Sequence, residues 1–75
     1  MELLVFGTKN TTDMAYYYLT HDIAYKNRYK IVGFVEENPV KNKKKYDINV
    51  YDFSNIESIF KPEKVLFFAP ISAKS

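Results

Sequence analysis

Two short stretches hold the residues best suited to chemistry. "VFGTKN" (Val5 to Asn10) places a glycine directly after an apolar run and before the polar residues that open a helix; "FVEENP" (Phe34 to Pro39) ends a second apolar run on two adjacent carboxylates, Glu36 and Glu37. A strand that turns through glycine into a helix offers free backbone amides and the positive end of the helix dipole to an anion. A carboxylate at the tip of the neighbouring strand can accept from a ribose hydroxyl. Together they describe a site for a nucleotide diphosphate. Gly7 makes the turn, the amides of Thr8, Lys9, Asn10 and Thr11 meet the phosphates with help from the Lys9 ammonium, and Glu36 or Glu37 accepts from ribose or base. The loop Ala69, Pro70 and Ile71 closes over the base.

A full dinucleotide fingerprint has three glycines: one for the turn, one for close approach of the pyrophosphate, and one for packing helix on strand. Aligned on Gly7, the second position holds Lys9 and the third Thr12, so only the turn glycine is present. Two readings of the residues follow. One is an anion site built on helix geometry; the other is a plain strand–turn–helix beside a solvated acidic loop.

Composition removes other classes of function. The chain of 75 residues has room for one domain, and its 47% hydrophobic and 17% aromatic content is too apolar for a disordered segment. It contains no cysteine, which excludes a disulfide framework, and its one histidine, His21, excludes a histidine-rich metal cluster. No apolar run approaches the ~18 residues of a membrane helix, and no leader pattern opens the chain, so no membrane partner and a cytoplasmic location are expected. Net charge is only +2. Lys41, Lys43, Lys44 and Lys45 cluster in "KNKKKY", but the sole arginine, Arg28, lies elsewhere. A nucleic-acid surface needs aromatic or arginine partners within the basic patch. The expectation is therefore a solvated loop between strands and no nucleic-acid partner.

The elements that must position the site can be read in order. "ELLVF" (Glu2 to Phe6) and "KIVGFV" (Lys30 to Val35) are short continuous apolar runs, as expected of strands buried on both faces. Asn10, Thr11 or Thr12 can cap a helix, and Asp13 suits its first turn. Met14 to about Tyr25 has no Gly or Pro, with apolar rows Met14, Tyr18, His21, Tyr25 and Ala15, Leu19, Ile23, so a helix packed on more than one neighbour is expected. "INVYDF" (Ile48 to Phe53) gives a third strand. "SNIE" reads as a capping box, Ser54 with Glu57, opening a helix from Ser54 to Phe60 that Phe53 could staple and Pro62 ends. "KVLFFA" (Lys64 to Ala69) is the fourth strand. The fold class expected is α/β: a small Rossmann-like parallel sheet of three to four strands with two helices, residues 1–75 forming a single, apparently truncated unit. A core of this size supplies no more than ~3–5 kcal/mol, so marginal stability is expected.

With these residues in view, the chain resembles the PglD-like N-terminal domain of bacterial sugar O- and N-acyltransferases, the group that includes sialic-acid and bacillosamine acetyltransferases. "LVFGTKNTTDMAYYYLTHD" is similar to that family's strand, Gly-Thr-Gly and tyrosine-rich first helix. "KIVGFVEENP" is similar to its second strand with an acidic tip, "INVYDFSNIE" to its entry into the second helix, and "KVLFFAPIS" to its fourth strand and loop. The resemblance spans essentially the whole chain. Lys9 stands where the family has a glycine, and Thr12 where it has a small apolar residue.

The resemblance implies a module that binds a nucleotide-sugar, UDP- or dTDP-linked, and is not catalytic alone. It also implies a following domain of hexapeptide repeats that forms the trimer, binds acetyl-CoA and carries the catalytic histidine. No cofactor is then expected in this chain, and His21, on the first helix, is not that base. The alternative is a vestigial or truncated Rossmann-like interaction domain with no nucleotide, whose tyrosine-rich helix serves as a protein interface.

Overall fold

The computed structural model describes residues 1–7 and 9–70, with only the backbone described for Asn10 and Thr11. Strand β1 (Glu2–Phe6) leads to helix α1 (Asn10–His21) and a single further turn, α2 (Ile23–Lys26). Strand β2 (Lys30–Glu36), the two-residue β3 (Lys44–Lys45) and β4 (Ile48–Asp52) follow. A 3-10 turn (Phe53–Asn55), α3 (Ile56–Ile59), a second 3-10 turn (Pro62–Lys64) and β5 (Val65–Phe68) complete the described chain. The five strands form one sheet in the order β3-β4-β2-β1-β5. β1 pairs in parallel with both β2 and β5, and β2 pairs in parallel with β4; only β3 is antiparallel, to β4. The protein is therefore α/β with a mostly parallel sheet, and the strand containing Val5 is internal to it. The sheet has one strand more than the sequence predicts, because the lysine stretch folds back on β4 as a hairpin.

Both faces of the sheet are used, which is why β1 and β2 read as continuous apolar runs. Leu3, Val5, Ile31, Phe34 and Val50 form one cluster, covered by Tyr16 and Leu19 of α1. Leu4, Val35 and Ile56 form the other, with Phe6, Val32, Tyr51, Phe60 and Val65 packed against it. The faces assigned to β2 show how this works. Ile31 and Phe34 share a face although they are three residues apart. The pairing with β1 steps from Leu3↔Ile31 to Leu4↔Gly33, so Val32 is an extra residue in the ladder. A one-residue slip reverses every later side chain; here the bulge sends Phe34 to the α1 side and Val35 to the α3 side. Gly33 sits where a Cβ would come within 2.6 Å of the Tyr51 ring, so the bulged strand needs a glycine at this closest approach.

The helices depart from the sequence reading in three ways. α1 ends at His21, and Asp22, extended at φ −73 and ψ 128, breaks it and caps α2 by accepting from the Ala24 amide at 2.8 Å. α1 packs with one face only: Thr12, Ala15, Tyr16 and Leu19 face inward, while Met14, Tyr17, Tyr18 and Ile23 beyond it are exposed. Among the described residues, no second element buries these tyrosines. The expected capping box is also replaced. Asp52 rather than Ser54 is the cap, its Oδ1 accepting from the Ser54 amide at 3.1 Å, and the segment turns as 3-10 before one turn of α-helix. Phe53, expected to staple onto that helix, instead meets the rings of Phe6 and Phe67 edge-on.

The β3–β4 hairpin is joined by Tyr46 and Asp47 between the paired Lys45 and Ile48, with φ of 52 and 62 at these two non-glycine residues. Positive φ at both central positions is the type I′ pattern, which favours Asn-Gly or Gly. Replacing Asp47 by glycine should relieve one left-handed residue and stabilise the protein by roughly 0.5–1 kcal/mol in urea unfolding. A destabilising effect would show that the Asp47 side chain compensates for its own strain.

Candidate functional site at the carboxyl edge of the sheet

The four parallel strands run the same way, so their carboxyl ends lie along one edge. Proceeding outward from β1, β2 and β4 lie on one side and β5 on the other. The chain thus switches direction at β1, the place where open α/β sheets form a crevice. The predicted residues collect there in register. Gly7 follows Phe6, the partner of Val35, and its amide donates to the Val35 carbonyl at 2.6 Å. Glu36 ends β2. Ala69 and Pro70 follow Phe68, the partner of Val5. Thr8 and Ile71 lie outside the described residues.

Gly7 has φ +105, a region that L side chains rarely adopt, and a Cβ there would also stand 3.1 Å from Thr12 Oγ1. The turn glycine is thus required by the backbone itself. Thr12 is 1% exposed, wedged beneath the turn on the helix's inner side. It fills the helix–strand packing position with a branched polar residue.

The N-cap of α1 is Lys9, not Asn10, Thr11 or Thr12. Lys9 is extended (φ −97, ψ −167), and its side chain makes no capping hydrogen bond. Its carbonyl accepts from the amides of Thr12 and Asp13 at 2.8 and 3.2 Å, and the residue is exposed. The Lys9 side chain thus accepts from none of the first-turn amides, and the dipole at this helix end favours a negative charge.

The two carboxylates of "EENP" differ. Glu37 is exposed. Glu36 is half-buried, and both of its oxygens accept from Lys43 Nζ, at 2.8 and 3.0 Å. Beside Glu36 in the sheet stands its β4 partner Asp52. The Ser54 amide holds the Asp52 carboxyl below the usual aspartate range, with a smaller contribution from the Asn38 backbone. Lys43 and Asp52 were not identified as site residues from the sequence. Asp52 carried a signal, an Asp directly before a helix start. Lys43 carried none, because a lysine in a basic run is read as solvated.

The lysine stretch is in fact tied down. Besides the Lys43–Glu36 pair, Lys45 Nζ lies 2.7 Å from Asp13 Oδ1, and the Tyr46 hydroxyl donates to the same oxygen at 2.6 Å. The Tyr46 ring stacks on Tyr16 with centroids 3.9 Å apart. Asp13, read as a first-turn dipole residue, thus fastens the hairpin onto α1. Hydrogen bonds from Lys45 and Tyr46 hold its carboxyl below the ordinary value, and the shared proton raises that of Tyr46.

His21 is exposed on the last turn of α1. Its ring stacks on Tyr17, and Nδ1 lies 3.1 Å from the Tyr17 carbonyl, far along the helix from Gly7. Among the described residues, no three His, Cys, Asp or Glu side chains gather as metal ligands, and no helix is long and apolar enough to cross a membrane. Two hollows lie away from the crevice. They are apolar grooves of about 620 and 670 Å³ on either face of β5, and neither is lined by Gly7, Lys9, Glu36 or Glu37. No family model, no curated protein and no solved structure matches the chain.

The Asp13 contacts have a pH signature. A carboxyl whose folded pKa lies below its unfolded value stabilises the fold at pH above the unfolded value, and loses that contribution as pH falls through the folded one. The contribution should be complete above about pH 5 and should decline below about pH 4. In urea titrations, Asp13→Asn should flatten this acid limb and reduce stability at neutral pH. An unchanged acid limb would mean that the contacts are equally strong in the unfolded chain.

Proposed function

We propose that this chain binds a nucleotide-sugar, UDP- or dTDP-linked, at the carboxyl edge of its sheet, and that it serves as the non-catalytic N-terminal module of a cytoplasmic sugar O- or N-acetyltransferase. The observation that carries the binding half is the strand order. β4-β2-β1 has the order of a mononucleotide-binding half of a doubly wound sheet, with β5 where the next strand beyond the switch point lies, and Gly7 and the start of α1 stand at that switch point. The acetyltransferase half rests on the resemblance of "LVFGTKNTTDMAYYYLTHD" and "KIVGFVEENP" to the sugar-acyltransferase N-terminal domain. In this reading the diphosphate meets the backbone amides from Thr8 to Thr11 and the Lys9 ammonium. Glu36 or Glu37 accepts from ribose or base, and Ala69, Pro70 and Ile71 border the base. Acetyl-CoA and the catalytic histidine belong to a hexapeptide-repeat domain outside these residues.

One observation favours the second reading, an interaction domain with no nucleotide: Lys43 engages both oxygens of Glu36. A ligand that uses Glu36 must share that carboxylate with Lys43 or displace it. A charged hydrogen bond is worth ~1.5–3 kcal/mol.

Calorimetric titration with UDP- and dTDP-sugars, and with NAD as a contrast, separates the readings. Saturable binding of a diphosphate-sugar is expected, weakened roughly 10- to 150-fold by Glu36→Ala with the circular dichroism unchanged. Gly7→Val should damage folding and binding together, since φ +105 excludes a β-branched residue. No saturable binding at millimolar ligand would establish the second reading.

A further inference from the structure

The connection from β2 to β4, which carries the short β3, collects the backbone strain of the protein. Among the described residues, every non-glycine residue with positive φ lies within it: Asn38 at 50, Asn42 at 62, Tyr46 at 52 and Asp47 at 62. Asparagine and aspartate enter this region more readily than other residues, and a bulky aromatic enters it at a cost. Tyr46 is therefore the most strained of the four. No residue from 37 to 47 is buried, so no apolar core fixes the segment. A segment with few buried contacts and exposed backbone bonds belongs to the part of a fold that opens first.

Its fastenings are on elements that frame the crevice. Lys43 Nζ donates to both oxygens of Glu36, the last residue of β2. Lys45 and the Tyr46 hydroxyl both engage Asp13, in the first turn of α1, and the Tyr46 ring lies on Tyr16. The most strained residue is thus also the one whose hydroxyl and ring make the second fastening. Left-handed backbone at such a residue persists only while its surroundings hold it, so release of these contacts also releases the strain. Exposed ion pairs are weak, and the balance between fastened and released is close.

We infer that residues 38–47 are a strap with a closed and an open position, and that the closed position is autoinhibitory: while Lys43 holds Glu36, that carboxylate is withdrawn from the ligand of the carboxyl edge. The inhibitory role rests on the nucleotide-sugar reading of that edge. In the closed strap both Glu36 oxygens accept from one ammonium, which neutralises the charge that would draw a ribose hydroxyl. In the open strap Lys43 leaves and Glu36 meets the ligand. Gly7 and Lys9 are not part of the strap, so the phosphate end of the site is the same in both positions.

A ligand that selects the open strap has its apparent affinity reduced by the fraction of molecules that are open. While the open form is the minor one, a change that multiplies its population multiplies the affinity by the same factor. The two fastenings sit on different elements, β2 and α1, so loosening either one favours opening. This separates a strap from simple competition at one carboxylate. A substitution at Tyr46, which does not touch Glu36, should alter binding too.

One amide reports the strap without any ligand, since the Val50 N–H donates to the Lys43 carbonyl at 3.0 Å. In hydrogen exchange of the full chain followed by NMR, the Val50 amide should exchange by local opening, faster than the Gly7 amide that bonds to Val35 across the β1–β2 pair. Lys43→Met, which keeps the apolar stem, and Tyr46→Phe, which keeps the ring and the Asp13 charge, should each speed Val50 exchange roughly 2- to 5-fold. Calorimetric titration with UDP-glucose and dTDP-glucose should show each variant binding more tightly than wild type, by about the factor that its exchange gains. If Lys43→Met fails to fold, Tyr46→Phe alone decides. A Val50 amide that exchanges only by global unfolding, or variants whose strap opens more readily but whose binding is no tighter, would overturn the proposal. Absence of binding in all three proteins, with local opening intact, would instead overturn the nucleotide reading, and the inhibitory role with it.

Discussion

Parallel pairing of β1 with a neighbour on each side is the constraint on which the rest of this protein depends. Two parallel strands cannot be joined by a tight turn, so the chain must leave the sheet at Phe6 and return at Lys30. That crossover is α1, and its inner residues Thr12, Ala15, Tyr16 and Leu19 cover one face of the β1–β2 pair. The return from β4 to β5 crosses the opposite face with only one turn of α-helix, so Ile56 and Phe60 must cover what a longer helix would. This cover ends before β5. The most exposed large apolar residues of the described strands lie in β5.

The same pairing sets the chemistry of the carboxyl edge. Gly7 is bonded to Val35 while still turning toward α1, and the positive φ of that turn leaves no room for a side chain. The helix starts at once, with Lys9 as a cap that makes no side-chain bond, so the positive end of its dipole lies beside the ends of β1 and β2. The tight strand-to-helix turn at this switch point brings the start of α1 to the carboxyl edge of the sheet, although two of the three fingerprint glycines are absent.

Charge is used here to anchor an appendage rather than to build the core. The β3–β4 hairpin extends the sheet past β2, and its connection contains two residues with positive φ. It is fastened at two points, Lys43 to Glu36 and the Lys45–Tyr46 pair to Asp13, and the Tyr46 ring lies on Tyr16. Exposed ion pairs contribute little singly. Here the stacked ring and the shared carboxylate act together with them, offsetting the left-handed backbone of the turn.

The alternation of apolar runs and helices was legible in the sequence by itself. So were the parallel α/β class, the internal position of the Val5 strand and the turn role of Gly7, because burial on both faces and positive φ each demand particular residue types at particular places. The collection of Gly7, Lys9, Glu36 and Ala69 along one edge also followed, since parallel strands share a carboxyl end. Tertiary structure alone decided the rest. The Val32 bulge, which sends Ile31 and Phe34 to the same face, depends on pairing with β1. The one-sided burial of α1 depends on how far the sheet extends beneath it. The Asp52 cap displaced the Ser54–Glu57 box because Asp52 already stands at a strand end with its oxygen toward the next turn. The partners of Lys43 and Lys45 are distant or out-of-register carboxylates that no local pattern in "KNKKKY" could reveal. Local spacing determines which face a residue can take; only the packed sheet determines what it meets there.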